Sequence, residues 1–189
     1  MYIPILSLWL PILLAAVLVF VASSIIHMFL GYHANDYRKL PVEDQIQDAL
    51  QPFSIPPGDY VLPHAASAEE MKSEEYKAKV ERGPAAFITV VDGRSVLNMG
   101  PQLTQWFVYL VVVGVFVAYA AGRTLSPGAE YLSVFRLTGT VAFACYAMSL
   151  PQRSVWYGVR WTSTLKSMFD GLIYALLTAG VFGWLWPVG

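Results

Sequence analysis

The 189-residue chain is 56% hydrophobic and 13% charged, about half the charged fraction of a soluble domain, so something other than water must solvate much of it. Its formal net charge of -1 provides no clustered basic excess, which excludes nucleic acid as a partner. The single cysteine, Cys145, can form no internal disulfide and reads as a small packing residue in an apolar run.

Residues 1–30 make the first predicted transmembrane helix. Between positions 3 and 30 the only ionisable side chain is His27, and the run exceeds the ~20 residues a helix needs to cross a hydrocarbon core of about 30 Å. No Lys or Arg precedes Arg38, so the segment lacks the basic start of a secretory signal and is expected to stay as an anchor. Pro4 suits a helix start, whereas Pro11 is expected to bend the helix.

Residues 31–102 read as a polar α+β domain. Pro41 followed by Glu43 and Asp44 predicts a short helix to Leu50, with acids at its positive end. Pro56-Pro57-Gly58 forbids helix and leads into an extended edge strand around 59–62. Ser67 with Glu70 has the form of a capping box, and one polar helix is predicted from there to Arg82, stopped by Gly83-Pro84. The β-rich runs on either side of Asp92-Gly93 predict a hairpin over 86–99 with a type I′ turn, which the 59–62 strand would extend to three strands.

Three further spans follow, at 103–121, 132–150 and 167–187. Arg136 lies near one end of the third, where its side chain can snorkel to the headgroups. Lys166 and Asp170 share a helical face before the uncharged part of the fourth and mark its membrane boundary. The fold class is thus mainly α and integral to the membrane: four transmembrane helices, with a small cytoplasmic α+β insertion between the first and second.

Lys and Arg set the orientation. Residues 31–102 hold seven and residues 151–166 hold three, against Arg123 and Arg136 on the other side. This asymmetry predicts that the domain is cytoplasmic and both termini lie outside.

Small residues recur every fourth position at Gly114, Ala118 and Gly122 and again at Ala175, Ala179 and Gly183. In lipid such faces let helix backbones approach closely, within one bundle or against a membrane-protein partner or second copy.

Residues with metal-ligand character near one membrane face are His27, His33, Asp36 and His64. His33 and Asp36 are neighbours if the first helix continues, but a six-residue step puts His27 about 120° round from His33, so helix geometry alone does not converge them. An ionisable group inside an apolar run is nevertheless a functional candidate, and Lys166 and Asp170 are its expected neighbours. No G-x-S-x-G, H-E-x-x-H or P-loop occurs, so no catalytic residue is assigned and no cofactor is indicated by motif.

The run Ser23 to Met28, the stalk from His33 to Pro41, Pro56-Pro57-Gly58-Asp59-Tyr60 and the stretch from Thr164 to Tyr174 resemble, over nearly the whole chain, a group of uncharacterised bacterial inner-membrane proteins with four predicted spans. The resemblance implies a bacterial source and a compact four-helix unit, and carries no activity or cofactor. Two functional expectations stand side by side. One is a non-catalytic accessory or scaffolding subunit of a membrane complex. The other is a small metal- or ligand-binding membrane protein, enzymatic or not, with its site around His27, His33, Asp36 and Asp170, the first three as metal ligands.

Overall fold

The computed structural model describes residues 2–188. In chain order the elements are α1 (Trp9–Met28), α2 (Glu43–Leu50), β1 (Gly58–Leu62), α3 (Ala68–Lys72), α4 (Glu74–Arg82), β2 (Ala86–Val90), α5 (Gly93–Leu97), α6 (Gly100–Thr124), α7 (Tyr131–Ala147), α8 (Pro151–Tyr157) and α9 (Trp161–Trp184). A 3₁₀ turn, Ile5–Leu8, leads into α1. They fall into two compact units, one made of residues up to Arg38 together with Gln102 onward, the other of Lys39–Pro101.

In the first unit the apolar runs are helical, as uninterrupted apolar sequence in lipid demands, because only a helix satisfies every backbone group within the segment. Among the described residues, four helices are long and apolar enough to cross a membrane. Leu10, Leu13, Val17, Val21 and Ile25 of α1 remain exposed. Together with the long apolar helices, that outer face is compatible with a multi-pass membrane protein. The opposite face enters a core that includes Leu8, Ile12, Val19, Leu110, Val117, Val134 and Phe182. Pro11, expected inside the helix, lies near its start. The α-helix begins only at Trp9, so Pro11 falls in its first turn, where the missing N–H has no acceptor to lose.

Small residues set how closely these helices meet. A Cβ on Gly114 would lie 3.0 Å from Ile12 Cγ2, and one on Gly122 would lie 2.7 Å from the Ile3 carbonyl oxygen. The Ile3 N–H donates to the Gly122 carbonyl at 2.8 Å, which ties the N-terminal segment to α6. Ala118, Ala175 and Ala179 are buried, and Gly183 packs on the ring of Tyr131. Gly171 brings α9 against α7, where a Cβ would stand 3.0 Å from that of Ala147. This approach fixes the depth of the neighbouring Asp170.

The second unit differs from the sequence reading in three places. The expected 86–99 hairpin is absent: β2 pairs antiparallel with β1 in a two-stranded sheet, Gly58 opposite Val90 and Leu62 opposite Ala86. Asp92 has φ -65°, which a type I′ turn cannot use, and its carboxylate instead accepts from Arg94 N–H at 2.9 Å as the N-cap of α5. The three-stranded sheet is therefore not formed. The single helix expected over 67–82 is two, because Ser73 turns extended and caps α4 by accepting from Tyr76 N–H at 3.1 Å. Ser67 does cap α3, accepting from Glu70 N–H at 3.1 Å, while the Glu70 carboxylate reaches back to the N–H of Ala66 at 2.7 Å.

Candidate metal centre

The site lies in the first unit, where the chain leaves α1. The helix stops at Met28, and Gly31 then takes a left-handed conformation with φ 65°, which costs glycine nothing. The chain reverses there. As a result the His33 ring stacks on His27, with centroids 4.7 Å apart and planes inclined by 6°. A continued helix would have held the two apart.

His33 is gripped on both sides. Its Nδ1 lies 2.5 Å from Asp36 Oδ2 and its Nε2 lies 2.7 Å from Asp170 Oδ2. Tyr32 donates its hydroxyl to the other oxygen of Asp170. The Lys166 ammonium donates to the Tyr32 carbonyl at 2.6 Å and to Asp36 Oδ1 at 3.1 Å. Arg160 closes the turn from outside, donating from one guanidinium nitrogen to the carbonyls of Asn35 and of Asp36, the latter at 2.9 Å. Burial on its own would raise the Asp36 carboxyl, but the hydrogen bonds from His33 and Lys166 overcome it and hold the group down at about 2.

Asp170 is the most enclosed member, with 3% of its surface exposed. A carboxylate so placed must be paired. Lys166 sits one turn before it on α9, and the two tie the last helix to the loop after the first.

Ligand atoms of His27, His33 and Asp170 lie within 4.8 Å of one another. Each histidine has its other nitrogen occupied: His27 Nδ1 is 3.0 Å from the Ser23 carbonyl oxygen, and His33 Nδ1 faces Asp36. That pattern fixes the ring and presents Nε2, as second partners do for metal-bound histidines. Both nitrogens of His33 face oxygen acceptors, so a proton or a metal ion has to stand between Nε2 and Asp170.

No family model, no curated protein and no solved structure matches this chain.

Of the residues singled out from sequence, His27, His33, Asp36 and Asp170 come together, and His64 does not. It lines a separate small cleft with Lys79 and Arg82 in the second unit. Asp36 is drawn in as the partner of His33, and Asp170, not Asp36, is the third residue whose donor atom converges with those of His27 and His33. Tyr32 and Arg160 were not singled out by the sequence reading. Their roles depend on contacts to residues 138 and 125 positions away, which no local pattern encodes. Glycine two residues before His33 is the one local signal of the reversal.

Beside the cluster opens a cleft of about 520 Å³, bordered by His27, His33 and Asp36 and by Arg153, Tyr157 and Arg160 from α8 and the turn after it.

Proposed function

We propose that the chain is a multi-pass membrane protein whose His27, His33 and Asp170 hold a first-row divalent metal ion, with Asp36 orienting His33 and coordination positions left open toward the cleft. The observation that carries this reading is the convergence of three donor atoms from two distant segments, each histidine braced through its remote nitrogen. Two imidazoles and a carboxylate suit zinc or ferrous iron, and three protein ligands with free positions are the arrangement of metal centres that polarise a bound ligand. The ion would replace the proton between His33 and Asp170. Those atoms would part from 2.7 Å to about 3.3 Å, the spacing set by metal–ligand bonds of about 2.0–2.1 Å in a tetrahedral site.

The Lys and Arg asymmetry supports an orientation with residues 31–102 in the cytoplasm and the termini outside, and the resemblance to bacterial inner-membrane proteins supports that membrane as the location. An accessory or scaffolding role draws less support, because Gly114, Gly122 and Gly183 face residues of their own chain and leave those stripes no free interface.

Metal content decides the matter. The purified full chain, loaded in turn with zinc, ferrous iron and copper and then desalted, should retain about one equivalent of one of them. His27→Ala should abolish retention, and Asp36→Asn should weaken it by about 10–100-fold, the usual cost of losing a residue that orients a ligand. A wild-type chain that keeps none of the three metals overturns the reading.

A further inference from the structure

The cleft beside the metal cluster has a second chemistry on its far wall. Arg160 and Lys166 already hold the loop, the first through hydrogen bonds to two carbonyls that leave its charge in place and the second through Asp36 and the Tyr32 carbonyl. Arg153 differs. It lines the cleft, and among the described residues its guanidinium makes no ion pair and no side-chain hydrogen bond. The one carboxylate on the cleft wall, Asp36, is held by His33 and Lys166 and does not neutralise it.

A guanidinium without a protein partner on the wall of a cleft presents parallel N–H donors that match an oxyanion, and phosphate offers the most acceptor oxygens for them. A second cation, Arg160, lines the same space with Tyr37 and Ser167. Trp156 on α8 and Trp161 at the start of α9 are exposed on either side of the turn carrying Arg160. Exposed tryptophans of a membrane protein settle at headgroup level, which is the depth of lipid phosphates.

We infer that this cleft binds the phosphate group of an anionic ligand, gripped by Arg153, and that a phosphate compound is the ligand class of the adjoining metal centre. As the ligand of that centre the inference rests on the function proposed above; as an anion site it stands on Arg153 and the cleft alone.

The test uses the full chain in detergent, with retention of phosphatidic acid measured by native mass spectrometry against diacylglycerol, which has the same tails and no phosphate. Inorganic phosphate is titrated in a separate arm. Phosphatidic acid should be retained in preference to diacylglycerol, and Arg153→Gln should weaken retention at least tenfold while bound zinc and melting temperature stay at wild-type values. Arg153→Lys should recover part of the binding. Retention of inorganic phosphate alone, lost in Arg153→Gln, supports the phosphate site and assigns it to a soluble ligand. Equal retention of the two lipids with no phosphate binding overturns the inference, and so does wild-type binding by Arg153→Gln. His27→Ala separates the two readings: it should lose metal and keep the Arg153-dependent phosphate binding. A chain that binds phosphate but never metal refutes only the metal centre, and one that binds metal but no phosphate refutes only the anion site.

Discussion

His33 and Asp170 stand 137 positions apart in the chain and 2.7 Å apart in the fold, Nε2 against Oδ2. That pair closes the loop after α1 onto α9, and the rest of the polar cluster is arranged around it. Asp36 and Tyr32 each satisfy one further atom of the pair, and Lys166 binds both of those residues.

Removing Asp170 should therefore loosen the bundle as well as the site. Asp170→Ala leaves His33 Nε2 and the Tyr32 hydroxyl without their acceptor in a partly buried position, an effect worth about 1–3 kcal/mol. Thermal unfolding of the metal-free chain in detergent should show a clear loss for Asp170→Ala and a smaller one for Tyr32→Phe, which deletes a single donor. Equal melting temperatures for all three chains would mean that the cluster does not hold α9 in place.

Glycines of the bundle should separate by what a methyl group would meet. At Gly122 an added Cβ falls 2.7 Å from a backbone oxygen of the N-terminal segment, and at Gly180 it meets nothing within 4 Å. Gly122→Ala should destabilise by about 1–3 kcal/mol, as overpacking does. Gly180→Ala should be neutral or stabilise by up to about 1 kcal/mol through helix propensity. The two melting temperatures, measured side by side in one detergent, check the packing of α6 against the N-terminal segment.

The Asp92-Gly93 step offers a test of helix against hairpin. As the N-cap of α5, Asp92 should lose about 1 kcal/mol on replacement by Ala. Gly93→Ala should cost nothing, because Gly93 lies within α5 with open space at its Cβ. A type I′ hairpin would reverse the second result, since alanine is strained at positive φ. Hydrogen exchange of the 86–97 amides in the two variants reads the difference.

Orientation is checked with cysteines in a Cys145→Ala background. A cysteine at Ser54 should resist a membrane-impermeant thiol reagent in intact cells, and one at Ser126 should react. The reverse pattern would move residues 31–102 to the outer side.

How far the sequence reached depends on the range of the force involved. The four long apolar helices follow from runs with at most one charge, because in lipid every backbone group must be satisfied inside the segment, and that condition is local. The strand at 58–62 and the caps at Ser67 and Gly83 were equally legible, since turn and cap chemistry involves neighbours in sequence. Where two local solutions competed, the tertiary structure chose: β2 found its partner in β1, which left Asp92-Gly93 to start a helix. The site lay furthest from view. His27 and His33 sit on different sides of a continued helix and meet only because the chain reverses at Gly31. Asp170 joins them because Gly171 lets α9 approach α7 closely and sets its depth. Composition made four helices long and apolar enough to cross a membrane, but only close packing between distant segments could bring two imidazoles and a buried carboxylate to one point.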